Sequence, residues 1–265
     1  MPKFAANVST MYHEYAVADR FRAAAEDGFE AVEFLNPYGF EITEIQSWLS
    51  QNQLKLILIN TRPGLEGEAT IGLAAIPGRQ PDFKTIFSEA LNYARELGAP
   101  MIHVLAGVVA AFDPKEVKET FLANISWAAA QASTHGITIM LEPLNTQDVP
   151  GYFYTSSHDV AQLIDELGID NVKLQYDLYH MQIMEGNLTH HITQLMHQIG
   201  HIQFSSVPGR FEPQYGEVNL PQILEHLDQA GYEGWIGCEY SARTHTRDGL
   251  SWATEYRLGG ADKNQ

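Results

Sequence analysis

The chain alternates between stretches in which apolar residues recur every three or four positions and short runs of consecutive apolar residues. The first pattern predicts amphipathic helices and the second predicts buried strands. At six places a helical stretch ends in glycine and a strand-like run begins within a few residues, as expected where a glycine ends a helix. These glycines are Gly28, Gly98, Gly136, Gly168, Gly200 and Gly231. The pattern indicates that helices and strands alternate along the chain.

A seventh junction and one N-terminal run bring the number of predicted strands to eight. Asn52 or Gln53 ends the helical stretch before the apolar run at 55–59, and residues 4–8 form a run ahead of the first helix. Eight alternating units in a chain of 265 residues favour a single (β/α)8 TIM barrel of the α/β class. The doubly wound alternative lacks its glycine-rich turn, because Asn-Val-Ser-Thr-Met follows the first strand.

Helix starts and domain boundaries agree with one barrel. Asp113 stands before a proline, an order typical of a helix N-terminus, and Ser156 or Ser157 can cap the following helix. No linker or low-complexity block divides the chain. We therefore expect one barrel domain at 1–258 and a disordered tail at 259–265.

The charge of the chain limits its partners. With 16 Lys and Arg against 33 Asp and Glu, the net charge of −17 disfavours nucleic acid and acidic membrane surfaces and favours a small-molecule substrate. The apolar runs fall short of the about 20 residues that span a bilayer, and no secretory signal pattern precedes the first strand. Cys238 is the single cysteine, so no internal disulfide forms. We expect a cytoplasmic protein, and the sequence leaves open whether it forms a homo-oligomer.

Four strand-like runs in the second half of the chain each carry one acidic or amide residue near their end. They are Glu142, Asp177, Gln203 and Glu239. The carboxyl ends of barrel strands meet at one rim, so these side chains can converge if each points inward. Burial of three carboxylates is costly unless a cation compensates it, and oxygen ligands are those that Mg²⁺ or Mn²⁺ prefers. The pattern predicts a divalent metal site and no organic cofactor.

Six short motifs occur in order along the chain. They are Val-Glu-Phe-Leu-Asn-Pro-Tyr at 32–38, Leu-Ala-Gly at 105–107, Leu-Glu-Pro-Leu-Asn at 141–145, Asp-Leu-Tyr-His at 177–180, Val-Pro-Gly-Arg at 207–210 and Gly-Trp-Ile-Gly-Cys-Glu-Tyr at 234–240. In these motifs the chain resembles the hydroxypyruvate isomerases, a family that includes the 2-oxo-tetronate isomerases and belongs to the xylose isomerase-like barrel superfamily. The resemblance covers nearly the whole chain, from Phe4 to about Trp252.

The resemblance implies roles for the four strand residues. Glu142, Asp177, Gln203 and Glu239 take the family's metal-ligand positions, and Glu142 and Glu239 also take its two catalytic acid–base positions. Many relatives in the wider superfamily carry His at the position of Gln203, so this glutamine favours the isomerase branch.

The implied reaction converts hydroxypyruvate to 2-hydroxy-3-oxopropanoate (tartronate semialdehyde) through an enediolate. A proton leaves the carbon that bears the hydroxyl group and returns to the neighbouring carbonyl carbon. Glu142 and Glu239 act as base and acid, in an order that the sequence does not decide, and the metal stabilises the negative oxygens. Arg210, in the loop after the seventh strand, suits the substrate carboxylate.

Three further polar residues are candidates for substrate binding. His180 follows Asp177 by three residues and either contacts a substrate oxygen, carries a proton or orients a neighbour. Glu33 and His103 lie late in the second and fourth strands. Each of these two either lines the pocket or is a polar residue with partners inside the barrel.

Several alternatives to hydroxypyruvate isomerisation stay open. A 2-oxo-tetronate isomerase would use the same chemistry on a longer 2-oxo acid, whereas a ketose 3-epimerase would act on a neutral sugar and would need Arg210 less. A barrel that binds a sugar acid without turnover is a third alternative. A DNA phosphodiester hydrolase is disfavoured by the net charge of −17 and by the lack of a histidine-rich cluster in the sequence.

Overall fold

The computed structural model describes residues 2–68 and 70–259. In this part of the chain eight parallel strands follow one another around a closed barrel, and the last strand pairs with the first. The strands are β1 (Lys3–Asn7), β2 (Ala31–Glu33), β3 (Lys55–Asn60), β4 (Met101–His103), β5 (Thr138–Leu141), β6 (Val172–Asp177), β7 (Ile199–Phe204) and β8 (Trp235–Cys238). The predicted TIM barrel is confirmed.

Helices connect the strands and cover the outside of the barrel. Among the described residues the α-helices are α1 (Val17–Glu26), α2 (Ile42–Gln51), α3 (Gln80–Leu97), α4 (Pro114–Ser133), α5 (Ser157–Leu167), α6 (Leu178–Met184), α7 (Leu188–Leu195), α8 (Leu220–Gln229) and α9 (Thr246–Gly249). Their apolar residues recur at helical spacing and are buried on one face, as in α5, where Val160, Leu163 and Ile164 are buried.

The junctions between helices and strands follow the prediction at all but one of the glycines. Those with a left-handed backbone are Gly28, Gly98, Gly136, Gly168 and Gly231. The prediction that Gly200 ends a helix is wrong, because α7 ends at Leu195 and Gly200 lies inside β7. A Cβ atom at position 200 would lie 2.7 Å from Lys173 Cβ, so close packing between β6 and β7 requires this glycine.

Two helix starts have the predicted caps. Asp113 Oδ1 accepts hydrogen bonds from the backbone N–H groups of Lys115 and Glu116, each at 3.1 Å. Ser156, rather than the serine after it, caps α5 through a hydrogen bond of 3.0 Å from the backbone N–H of Asp159. These contacts satisfy N–H groups that have no partner inside the helix.

The interior of the barrel is apolar in one layer and polar in the next. A small cluster of buried apolar residues contains Ala5, Ala31 and Met140. Two positions later along the same segments stand the buried polar residues Asn7, Glu33 and Glu142. Because alternate strand residues point to the same side, these pairs occupy successive inward positions, and the polar layer lies at the carboxyl ends of the strands.

Gly259, the first residue of the predicted disordered tail, donates its backbone N–H to the carbonyl oxygen of Asp27 at 2.9 Å. The rest of that tail, 260–265, lies outside the described residues. Within the described ranges, every helix is too short or too polar to cross a membrane.

Candidate active site

The four predicted metal ligands lie at the carboxyl end of the barrel. Asp177 ends β6, Gln203 is the penultimate residue of β7, and Glu142 and Glu239 directly follow β5 and β8. The strand register places Asp177 beside Gln203 and Gln203 beside Gly237. All four side chains are buried. The fold therefore gathers three carboxyl groups and one amide in the last four strands of the barrel.

Glu142 and Asp177 form, together with His180, a group that could hold a divalent cation. One candidate ligand atom from each residue lies within 4.8 Å of the other two. Glu142 Oε1 is buried and has no hydrogen-bond partner within residues 2–68 and 70–259. Buried carboxylate oxygens normally have a partner, and a cation between Glu142 and Asp177 would be one. These residues therefore fit a divalent metal.

His180 fits the task of a donor better than that of a metal ligand. Its Nδ1 accepts hydrogen bonds from the backbone N–H and the side-chain Nδ2 of Asn145, at 3.0 and 2.8 Å. Burial, and then the charge of Arg210, lower the pKa of His180 well below its ordinary value, so the ring is neutral and carries its proton on Nε2. Nε2 lies 3.6 Å from Asp177 Oδ2 and 3.9 Å from Glu142 Oε1. The N–H therefore points into the acidic site.

Arg210 reaches the same site from the loop after β7. Its Nη2 donates to Glu239 Oε1 at 2.5 Å and lies 3.4 Å from Asp177 Oδ2. The guanidinium group lies over the Tyr179 ring, 4.9 Å from the ring centroid. Its Nε is buried and has no acceptor among the residues that the structure describes. Protein carboxylates hold one end of the guanidinium group, and Nε is available to another acceptor.

The pKa values of the three carboxyl groups are raised. Burial raises the pKa of Glu239 to about 8 and that of Asp177 to about 6, although Arg210 lowers both. The pKa of Glu142 lies well above its ordinary value because of burial and then the charges of Glu239 and Asp177. For Arg210, burial lowers the pKa, but the same carboxylates outweigh it and raise the pKa. Such carboxyl groups can exchange protons near neutral pH.

His103 contacts one of the predicted catalytic residues. Its Nδ1 lies 3.2 Å from Glu142 Oε2, and the ring is buried at the end of β4. Burial, and then the charge of His201, lower the pKa of His103 to about 3. His103 is therefore neutral beside Glu142, and its role in substrate binding stays a prediction.

Glu33 lies inside the barrel, and its oxygens are engaged by protein donors. Glu33 Oε2 accepts hydrogen bonds from Asn7 Nδ2 at 2.9 Å and from Gln203 Nε2 at 2.8 Å. Glu33 Oε1 lies 2.5 Å from His201 Nε2. Of the two alternatives for Glu33, these contacts support a polar residue with partners inside the barrel. A contact between Glu33 and the substrate stays a prediction.

Sequence reasoning missed several polar residues of this layer. Gln175 and His201 stand two positions before Asp177 and Gln203, so the alternation of inward-facing residues could have found them. Asn145, which fixes the ring of His180, gave no comparable signal. The fold also brings His103, His180 and His201 into the polar layer from three different elements. The lack of a histidine-rich segment therefore does not argue against DNA hydrolysis, although the net charge of −17 does.

The barrel and its acidic rim define a class of protein that comparison with known proteins confirms. A family model described as a xylose isomerase-like TIM barrel matches residues 21–256. The crystal structure of a protein named AP endonuclease, family 2, from Brucella melitensis superposes with a TM-score of 0.95 at 43% identity, and the match covers 97% of this chain and 100% of that chain.

Two named relatives narrow this class. The 2-oxo-tetronate isomerase of Cupriavidus necator is 46% identical over 97% of this chain and 99% of its own length. The hydroxypyruvate isomerase of Escherichia coli is 39% identical over 97% of this chain and 100% of its own length. The chain belongs to the family of hydroxypyruvate and 2-oxo-tetronate isomerases within the xylose isomerase-like TIM barrel superfamily, as its motifs predicted. Its enzymatic class is that of the aldose–ketose isomerases.

Proposed function

We propose that the protein isomerises a short 2-oxo sugar acid, with 2-oxo-tetronate as the preferred substrate and hydroxypyruvate as the second candidate. The Cupriavidus necator 2-oxo-tetronate isomerase shares 46% identity with the chain, against 39% for the Escherichia coli hydroxypyruvate isomerase. This difference in identity favours 2-oxo-tetronate as the substrate. The motifs alone had favoured hydroxypyruvate.

Both substrates require the same proton transfer. A proton leaves C3, which bears a hydroxyl group, and a proton is added to C2, the carbonyl carbon beside the carboxylate, so that an enediolate lies between substrate and product. Hydroxypyruvate then gives the aldehyde 2-hydroxy-3-oxopropanoate. With 2-oxo-tetronate the carbonyl group moves to C3 of a four-carbon acid.

The observation that carries the proposal is the convergence of two buried glutamates with raised pKa values, Glu142 and Glu239, on one site. We assign them as the base and the acid of the proton transfer. Arg210 holds the substrate carboxylate through the donor that the protein leaves without a partner in the described ranges. The Nε2–H group of His180 donates to a substrate oxygen on which negative charge develops.

We further propose that Glu142, Asp177, Gln203 and Glu239 hold Mg²⁺ or Mn²⁺, because carboxylate and amide oxygens are the donors that these cations prefer. The buried Glu142 Oε1, which lacks a partner in the described part of the chain, supports this assignment. When bound, the cation supplies Lewis-acid stabilisation of the negative charge on the substrate oxygens.

Proton NMR in D₂O tests the proposed reaction against its alternatives. The enzyme is loaded with Mg²⁺, or with Mn²⁺ that is removed after turnover and before the spectrum is recorded. It is incubated separately with 2-oxo-tetronate, hydroxypyruvate, a neutral ketose and a DNA duplex that contains an abasic site. We expect deuterium at a substrate carbon with the two acids, and a kcat/KM at least about tenfold higher for 2-oxo-tetronate, which corresponds to about 1.4 kcal/mol. The Glu142→Gln variant is the control.

Each alternative predicts a different outcome. Exchange with the neutral ketose alone would indicate an epimerase. Cleavage of the abasic duplex without exchange would indicate a DNA hydrolase, the activity named for the Brucella melitensis protein. Binding of the acids without exchange would indicate a barrel that has no turnover. A higher kcat/KM for hydroxypyruvate would restore the shorter acid as the preferred substrate.

A further inference from the structure

A carboxylate is built into the polar layer of the barrel beside the candidate active site. Glu33 extends from the end of β2 across the interior to β8, where the residue opposite is Gly237. A Cβ atom at position 237 would collide with Glu33 Oε1 and would come within 2.8 Å of Gln203 Cγ. The carboxylate therefore occupies the space that a side chain on β8 would otherwise fill.

The polarity of the hydrogen bonds around Glu33 is fixed. Asn7 Oδ1 accepts a hydrogen bond of 3.0 Å from the backbone N–H of Ser9, which can only donate. The Nδ2 group of Asn7 must therefore face Glu33, to which it donates at 2.9 Å. A carboxylate can only accept, so Gln203 must also present its NH₂ group, at 2.8 Å, rather than its oxygen.

The oxygen of the Gln203 amide consequently points to the other side, toward β6. There Oε1 accepts a hydrogen bond of 2.6 Å from Gln175 Nε2, two residues before Asp177 on the same strand. Gln175 does not itself fix this orientation, because its Oε1 has no partner in the described ranges and its amide could turn over with that of Gln203. Glu239 favours the same orientation, because its carboxylate also accepts a hydrogen bond from the Gln203 side chain, although Arg210 donates to that carboxylate as well.

We propose that Glu33 is a positioning residue, which acts through Gln203 by holding its NH₂ group, so that the amide oxygen stays on the side of β6, the strand that ends in Asp177. Without Glu33 the amide can turn over and present two N–H donors, which cannot bind a cation. This inference rests on the proposed metal site. It assigns to Glu33 a role that requires no contact with the substrate.

A double-mutant cycle, read as Mn²⁺ affinity by calorimetry on metal-free protein, tests the proposal. Glu33→Gln should weaken Mn²⁺ binding about 10- to 100-fold, because the amide of Gln203 loses the partner that orients it. Gln203→Glu should also weaken binding, since its new carboxylate meets that of Glu33. The double variant Glu33→Gln/Gln203→Glu should recover affinity to within about threefold of the wild type, because a carboxylate has no wrong orientation and residue 33 can now donate to it.

Glu212→Gln is the matched control. Glu212 is a buried carboxylate that accepts hydrogen bonds from the backbone N–H of Arg243, outside the proposed site, so its variant should bind Mn²⁺ as the wild type does. Wild-type affinity in Glu33→Gln would overturn the positioning role and leave the proposed function intact. A double variant that fails to fold, or that binds no better than the weaker single variant, would also overturn it. Absence of Mn²⁺ binding in the wild type would reject the metal site itself.

Discussion

Glu33 and Glu142 are two buried carboxylates of the same barrel with opposite surroundings. Glu33 is 0% exposed and receives hydrogen bonds from Asn7, His201 and Gln203. Glu142 is 4% exposed, has one oxygen 3.2 Å from His103, and has its other oxygen without a partner in the described part of the chain. Equal burial therefore does not mean an equal role. The oxygens of Glu33 are engaged by protein donors, whereas Glu142 keeps one oxygen available to a bound group.

The two regions differ in the hydrogen-bond donors around the carboxylate and not in how deeply the carboxylate is buried. A buried carboxylate without compensation costs several kcal/mol, so a chain that retains one must stabilise it with protein donors or with a bound group. In the region around Glu142, Arg210 is the one cationic side chain among the described residues that contacts Glu239 and Asp177, and it contacts both. Two of the three carboxyl groups thus contact one guanidinium group, and a divalent cation would compensate the remaining negative charge.

Removal of divalent cations should have the largest effect, because it leaves the carboxyl groups around Glu142 without the proposed cation. We expect turnover to be abolished in chelator-treated protein and the Tm to fall by about 5–10 °C relative to protein with Mn²⁺ at about 100 times its Kd. The D₂O exchange assay and a thermal melt measure the two effects. Full activity in rigorously metal-free protein would show that the candidate active site does not depend on a metal.

Substitution of the two proposed proton carriers should come next in size. Glu142→Gln and Glu239→Gln keep an oxygen for the cation but remove the basic carboxylate, so kcat should fall about 10³-fold at saturating Mn²⁺. Glu212→Gln, a buried carboxylate outside the site, should keep kcat within about twofold of the wild type. Near-normal kcat in either site variant would exclude that glutamate as an essential proton carrier.

Arg210 should contribute less, because its proposed role is to bind the substrate carboxylate and not to carry the proton. Arg210→Met should lower kcat/KM for a 2-oxo acid by about 2–3 kcal/mol, roughly 30- to 150-fold, and Arg210→Lys should recover only part of the loss. Kinetics with Mn²⁺-loaded variants on an acid and on a neutral ketose measure this. Equal losses on both substrates would mean that Arg210 does not recognise the carboxylate.

The pH dependence of stability should give the smallest effect. In metal-free protein the pKa of Glu239 is raised to about 8, so the folded state binds more protons than the unfolded chain, and stability falls as pH rises through that value. The buried His103 has a lowered pKa of about 3 and acts in the opposite direction, but only below about pH 7, where an unfolded histidine is protonated. We therefore expect the Tm to fall by about 2–5 °C from pH 7 to pH 9.

Two comparisons check the origin of this fall. Glu239→Gln should remove part of the dependence on pH in the same window, since its amide does not titrate, and Glu142, whose pKa is also raised, accounts for the rest. Saturating Mn²⁺ should remove it as well, because a bound cation keeps the carboxylates ionised. A Tm that falls equally in the variant would assign the effect to other groups.

Most of the fold could be predicted because helix and strand periods and the glycines between them are local properties. Gly98 and Gly168 end helices in left-handed conformation, as the pattern requires. Gly200 could not be assigned in this way, because a glycine that permits close packing inside a strand and one that ends a helix look alike in sequence. Only the contact with Lys173 distinguishes them.

The candidate site could be predicted in part. Glu142, Asp177, Gln203 and Glu239 were visible because each interrupts an apolar run, and the structure brings them to one end of the barrel. For Glu33 the sequence left two alternatives open, because its hydrogen-bond partners come from distant positions in the chain. The pairing shifts register beside Glu33 and again beside Gln175, and such irregularities cannot be inferred from the alternation of residues.

The position of Glu239 after β8 has a consequence for the synthesis of this protein. β8 closes the barrel by pairing with both β7 and β1, so the strand that leads into Glu239, a proposed proton carrier, also joins the first strand. A nascent chain that already contains Glu142, Asp177 and Gln203 still lacks a closed barrel and a second glutamate. We therefore expect catalysis only once β8 has been synthesised and has closed the barrel.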